Sequence, residues 1–317
     1  MIRFLVGKAP SLVFVLFASS IVAFALPRLA PGDVAVVLAG DDPTAESIAA
    51  IRRELGLDRS PVVQYAEWIS GLFRGDLGES FLLQRSVASL IGDRIGSTVQ
   101  LALLSTILVV LIGATLGTLA GSARVGWARA VLDFANSLFV AVPSFLVGLG
   151  FILLFGIFNR WLPVSGEVSV LDDPVWGFQY LILPALALAL GPAAVVARFI
   201  QTEMRAVRNA EFVDLALSKG ASARHITLRH VFRNSLGTGV VAVGLQMGNV
   251  LAGAVIIEAI FARNGLGQLA VSSVQDRDFT VLQVLILGAV LVAVLCQLLT
   301  EIVLAALDPR IRLGDQT

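Results

Sequence analysis

The sequence predicts an all-α, polytopic membrane protein. It has six transmembrane helices, a small and mainly helical periplasmic or extracytoplasmic segment, and a polar cytoplasmic loop. Three observations predict this. Mean hydropathy is +0.87 and only 15% of residues are charged. Several apolar runs reach about 18 residues or more, enough to cross a bilayer at ~1.5 Å per residue. Basic residues crowd into alternate connections, which fixes an orientation. The formal net charge of zero over 317 residues decides nothing, because placement of charge matters more than its sum.

The first span, Ala9–Leu29, follows Arg3 and Lys8. Its apolar stretch is long, and "FALPRLAPGD" offers a poor cleavage site, so it reads as an uncleaved signal-anchor helix. Residues 30–96 form the extracytoplasmic segment. Within it, "DPTAESIAAIRRELGL" places Ile48, Ile51 and Leu55 at helical spacing, with Thr44 as N-cap. "SPVVQYAEWISGLF" puts Val62, Tyr65, Trp68, Ile69 and Leu72 on one face. Two readings fit this segment: a helical cap packed on the bundle, or a docking surface for an extracytoplasmic partner.

The remaining spans are Val99–Ala120, Val131–Phe158, Tyr180–Ala197, Leu236–Ile260 and Val281–Leu307. Residues 97–306 thus form a five-helix core with a cytoplasmic loop at 198–235, and 307–317 form a tail. With the N-terminus inside, the cytoplasmic connections hold Arg124 and Arg129, seven basic residues from Arg198 to Arg233, and Arg310 and Arg312. The short outer loops hold Arg160, Arg263 and Arg277. This asymmetry places both termini in the cytoplasm.

Much chemistry is missing. There is no GxxxxGK[ST] loop for ATP, no HExxH and no GxSxG elbow. His225 and His230 stand five apart, so zinc ligation at i, i+4 is not offered. Cys296, the single cysteine, lies in an apolar run and reads as a small hydrophobe. Asp133, Glu258 and Glu301 fall toward span ends, where carboxylates are expected to reach water or headgroups. An ion-coupled transporter needs an ionisable or unwound midplane site, so any work done here is expected to be powered from elsewhere. Inside the spans remain Asn136, Ser137, Pro143 and Ser144, then Pro184, Gly191 and Pro192, then Gln246 and Asn249. Asn136, Ser137, Gln246 and Asn249 either hydrogen-bond between helices or line a polar path; periodicity does not choose. Gly113, Gly117 and Gly121 give the second span a face for close helix approach.

The stretch "EFVDLALSKGASARHITLRHVFRNS" (211–235) reads as two short helices about a glycine. Phe212, Leu215 and Ala216 share one face, and Lys219-Gly220 ends that helix with a residue suited to the left-handed conformation. Ser222 caps a second helix whose Leu228, Val231 and Phe232 share a face. Arg224, Arg229 and Arg233 then face water, headgroups or acidic protein. Such an elbow either lies on anionic lipid or fits a groove of a cytoplasmic partner.

Asp214-Leu215-Ala216-Leu217-Ser218-Lys219-Gly220 resembles the E-A-A-x-x-x-G loop of ATP-binding-cassette importer permeases. "LRHVFRNS", with His230, Arg233 and Asn234, resembles the peptide-permease branch. "APGD" (Ala30–Asp33), "ELGLD", "GDLGES", "GSTVQLAL", "IEAIFARNGLGQL", "DRDF" and "LDPRIR" are similar to that family in the same order along the chain. The resemblance implies one membrane subunit of an importer in the cell inner membrane, itself non-catalytic, for di- or oligopeptides, with nickel chelates, glutathione or another small solute as alternatives; a secondary transporter or channel is the rival reading. It implies a second, similar permease, two cytoplasmic nucleotide-binding ATPase subunits that bind ATP and magnesium, and an extracytoplasmic substrate-binding protein. Carried over residue by residue, Asp214, Ala216, Lys219, Gly220, Arg224, His230, Arg233 and Asn234 form the ATPase-docking, coupling loop. The chain itself is expected to bind no cofactor, metal or nucleic acid, and to contact membrane lipid.

Overall fold

The computed structural model describes residues 2–29, 35–36, 39, 44–54, 56–80, 82–123, 125–222 and 225–307. Expectations made for Ala30–Asp33, Leu55, Arg224 and Asp308–Arg312 fall outside the described residues. The chain runs α1 (Ile2–Leu29), α2 (Ala45–Glu54), α3 (Pro61–Phe73), β1 (Glu79–Ser80), β2 (Arg85–Ser86), α4 (Val87–Ser122) and α5 (Gly126–Ala141). It continues through α6 (Ser144–Phe151), which passes into a π-helical stretch at Ile152–Phe158, then α7 (Pro174–Arg208) and α8 (Glu211–Ser218). A second π-helical stretch, Ile226–Phe232, leads into α9 (Arg233–Ile260), followed by α10 (Leu266–Gln275) and α11 (Phe279–Leu307).

Among the described residues, four helices are long and apolar enough to span a membrane: Val87–Ser122, Pro174–Arg208, Ile226–Ile260 and Phe279–Leu304. They extend beyond the apolar runs because hydropathy marks only the lipid-level part of a helix, while backbone hydrogen bonding carries it further. The third expected span, Val131–Phe158, is not one rod. α5 and α6 pass the same test only together, and they are bent by 99°. The cause is local: Pro143 has no N–H, and it drives the preceding Val142 to an extended φ −86°, ψ 120°. Counting that pair as one span gives five. In α1 the apolar part is the shorter Pro10–Leu26.

The residues fall into two compact units. One comprises Met1–Ile95 and Gln268–Val292. Its core is Val87, Leu90, Leu269, Val281 and Val284, with Leu72 and Leu77 packed against them. Phe24, Tyr65 and Trp68 form an aromatic trio in which the Phe24 and Tyr65 rings meet edge-on at 5.3 Å. Ser60 caps α3 ahead of Pro61, a proline at the position where its missing N–H costs nothing. Thr44 accepts the Ser47 N–H at 3.1 Å, as an N-cap does. Asp278 caps α11 by accepting from the Val281 N–H and also takes the Ser80 hydroxyl at 2.5 Å.

The other unit comprises Gly96–Gly267 and Ala293–Thr317. Its centre is α7, whose Ala185, Ala187, Ala189, Ala193, Ala194 and Ala197 are all buried. Apolar lipid offers no hydrophobic drive between helices, so small side chains that permit close backbone approach do the packing. α5, α6 and α9 pack on α7. The Gly113, Gly117 and Gly121 face of α4 lies against it as well. A Cβ at Gly113 would fall 2.9 Å from Val196, and one at Gly117 would fall 2.8 Å from the Ala197 carbonyl oxygen.

Candidate functional site

The polar stretch at 211–235 forms an elbow at one end of the α7–α9 pair. α8 ends at Ser218, and Gly220 takes φ +79°, a left-handed conformation that a Cβ would strain. Ser222 then receives the His225 N–H on its Oγ at 3.3 Å. The second arm is not a separate short helix: the π-helical Ile226–Phe232 runs directly into α9. This corrects the expected helix–glycine–helix pair. A cap at Ser222 starts the arm, but no breaker follows Phe232 to end it.

Each apolar face is divided between the bundle and the outside. Val213, Ile226 and Val231 are buried in the α7 core, with Ala216, Ala221 and Phe232 partly buried against it. Phe212, Leu215 and Leu228, which periodicity places on apolar faces, are 43%, 57% and 49% exposed. Periodicity finds the amphipathic pieces but not which apolar side chains meet the bundle, because Val213 and Phe212 are adjacent and both apolar. Lys219, Arg229, Arg233 and Asn234 are exposed, and His230 is half-buried. Asn234 Nδ2 donates to the His230 carbonyl at 2.8 Å. The wider π-helical turn brings His225 and His230 together, their rings edge to face at 5.5 Å. Asp214 lies within α8, and Arg208 Nη2 braces the second arm by donating to Thr227 Oγ1 at 2.9 Å. The elbow therefore combines a fixed inner face with a basic and apolar outer one.

The four candidate path residues separate into two places. Gln246 and Asn249 line a cavity of about 320 Å³ with Pro143, Ser144, Gly191 and Pro192. Asn249 Nδ2 donates to Gln246 Oε1 at 2.9 Å. Pro143, at the break between α5 and α6, and Pro192, inside the unbroken α7, both face this space, and neither has a backbone N–H to donate. No lining side chain is charged. Asn136 and Ser137 are not part of it. Asn136 is buried, and Ser137 belongs to a polar group in which Arg198 Nη2 donates to Ser137 Oγ at 2.7 Å and Gln201 Nε2 donates to Asp133 Oδ1 at 2.6 Å.

A third cluster was not anticipated. Glu258, expected to reach water or headgroups, is wholly buried. Its carboxylate accepts from Thr98 Oγ1 at 2.6 Å and from the Gly267 N–H at 2.7 Å. Thr98 Oγ1 in turn accepts the Leu266 N–H at 2.8 Å. The carboxylate thus stands at the N-terminus of α10, where exposed N–H groups and the helix dipole favour negative charge. A Cβ at Gly267 would come within 2.5 Å of the Val255 Cα, and one at Gly265 would collide with the Glu258 carboxyl. Arg263 is 1% exposed, with Nη2 donating to Ser97 Oγ at 3.1 Å and lying 3.4 Å from Glu167 Oε2. Ser97 Oγ also donates to Glu167. Burial lowers the Arg263 pKa from its ordinary value, while the Glu167 and Glu258 carboxylates raise it. Sequence carried a signal here: two glycines two apart after a glutamate and an arginine, in a short connection. Only the fold shows that the charges point inward.

Comparison with known proteins matches two family models. Residues 113–313 match "Binding-protein-dependent transport system inner membrane component", and residues 1–102 match the corresponding N-terminal model. A peptide transport system permease protein of Brucella abortus (strain 2308) is 37% identical over 94% of this chain and 95% of the relative. The glutathione transport system permease protein GsiC of Escherichia coli O6:H1 is 34% identical over 98% and 99%. Among solved structures, a chain of the MetNI methionine ABC transporter in an inward-facing conformation aligns with TM-score 0.58 at 16% identity, covering 69% of this chain and 96% of that one. That likeness is one of fold.

Proposed function

Because the chain belongs to the family of binding-protein-dependent transport system inner membrane components, we propose that it is the permease subunit of an ATP-driven importer of di- or oligopeptides. The names of the Brucella and Sinorhizobium fredii relatives support the peptide reading. In this reading a second permease of similar fold completes the pathway, two cytoplasmic ATPases bind ATP and magnesium, and an extracytoplasmic protein delivers the solute. The orientation that places Arg198–Arg233 in the cytoplasm puts both termini there too. α1 and the bent α5–α6 pair then make up six crossings.

The elbow carries this reading. Its inner residues Val213, Ile226 and Val231 are buried with α7 and α9, while Phe212, Leu215, Leu228 and three basic side chains face outward. An apolar surface rimmed by positive charge, on a joint continuous with α9, fits an acid-rimmed groove of an ATPase and can pass its motion to the bundle. Asp214, Ala216, Lys219, Gly220, Arg224, His230, Arg233 and Asn234 are the coupling segment. Gln246 and Asn249, beside Pro143 and Pro192, belong to the translocation path; Asn136 and Ser137 support it from α5 without lining the cavity. The similarity to GsiC favours one second reading, glutathione as the solute. Reconstitution with the partner subunits separates them: short peptides carried by the binding protein stimulate ATP hydrolysis if the first reading holds. Stimulation by glutathione and by no peptide establishes the second.

A further inference from the structure

The cluster around Glu258 and Arg263 lies at the far end of α9 from the elbow, roughly 38 Å along the helix at about 1.5 Å per residue. Its two carboxylates are unequally held. Glu258 takes a donor on each oxygen within 2.7 Å, and Gly265 and Gly267 close over it without room for a Cβ. That part is fixed. Glu167 instead stands on the connection 159–173, its side chain 27% exposed; it accepts from the Ser97 hydroxyl and lies 3.4 Å from Arg263 Nη2. Arg263 Nε and Nη1 are buried and have no hydrogen-bond partner among the described residues.

A buried donor left unmade costs free energy. A further anion is disfavoured, since two carboxylates already face one guanidinium. Rearranging the Arg263–Glu167 pairing would bring those donors into use, and Glu167 is the member with access to solvent. The connection is otherwise held by neutral contacts, among them the Gly166 N–H to the Phe261 carbonyl at 3.0 Å, the Val170 N–H to Gln100 Oε1 at 3.2 Å, Gln100 Nε2 to Ser169 Oγ at 3.1 Å, and the packing of Leu162, Val164 and Val170 on the core. Ala262, next to Arg263, holds φ +50°, which a residue with a Cβ adopts at a cost.

We propose that Glu167 and Arg263 are positioning residues. They form a releasable fastening of the connection 159–173 onto α4 and the end of α9, and its release accompanies opening of this end of the bundle during transport. The role in transport rests on the permease reading above.

The test places a reporter thiol at Val168, half-buried beside Glu167, in a Cys296→Ala background, and labels it with a membrane-impermeant maleimide. Glu167→Gln is expected to raise the labelling rate about tenfold, the scale of a lost charge-assisted bond. Ser97→Ala, which keeps both charges, gives a smaller rise in the same direction. A thiol at Glu211 on the elbow labels equally in all variants. In the complete transporter, Glu167→Gln also raises ATP hydrolysis several-fold in the absence of binding protein. Equal labelling of parent and Glu167→Gln overturns the fastening. Raised labelling with unchanged basal hydrolysis overturns its part in transport. If the parent shows no solute-stimulated hydrolysis with any partner set, it is the permease reading that fails, and the labelling still decides the fastening.

Discussion

At the scale of single residues, the sharpest statements concern groups that have no room to change. Gly267 faces backbone, with its absent Cβ 2.5 Å from the Val255 Cα. Gly267→Ala must move one chain segment and is expected to cost about 1–3 kcal/mol, read as a lowered unfolding temperature in detergent. Glu258→Ala removes the acceptor for the Thr98 hydroxyl and the Gly267 N–H and leaves Arg263 with one carboxylate fewer nearby. It is expected to cost about 3–5 kcal/mol. Glu258→Gln keeps one carbonyl acceptor and loses less. A Gln variant as unstable as the Ala variant would show that charge, and not hydrogen bonding, holds this end together. These residues were visible in the sequence only as a string. Composition places an ionisable group near a span end, but whether it turns outward to water or inward to an N–H depends on a connection that hydropathy does not describe.

At the scale of elements, sequence reasoning located the long helices well and their breaks partly. The hydrophobic runs mark α4, α7, α9 and α11, because lipid-level residues must be apolar over the whole crossing. Pro143 announces the break between α5 and α6 through the conformation it imposes on Val142, yet the 99° bend is a matter of packing. The π-helical turn at Ile226–Phe232 has no comparable sequence mark, and it is why Leu228 faces out while Val231 is buried. The elbow offers a dissociation test. Val213→Ala opens a void on the inner face and is expected to cost about 1–3 kcal/mol of stability. Phe212→Ala, on the exposed face, is expected to stay within about 0.5 kcal/mol and yet to reduce coupled ATP hydrolysis severalfold. If Phe212→Ala leaves coupling intact while Val213→Ala abolishes it at matched protein level, the outer face is not a docking surface.

At the scale of the whole molecule, family membership and the ordered motifs agree on an importer subunit whose energy comes from partners. The apolar bundle, the elbow on one end of α9 and the charge cluster on the other provide one continuous helix through which the two ends can influence each other. Gly220 is where the central claim is most exposed to test. Its left-handed φ makes Gly220→Ala cost about 1 kcal/mol, but a Cβ there meets nothing within 4 Å among the described residues. Gly220→Trp should therefore insert and fold about as well as Gly220→Ala, and any further loss reports on a partner. The direct measurement is ATP hydrolysis by the reconstituted transporter on addition of loaded binding protein. Near-parental stimulation is expected with Gly220→Ala and little or none with Gly220→Trp, with both proteins equally inserted. Full stimulation with Gly220→Trp, or uptake by this chain without any ATPase, would contradict it.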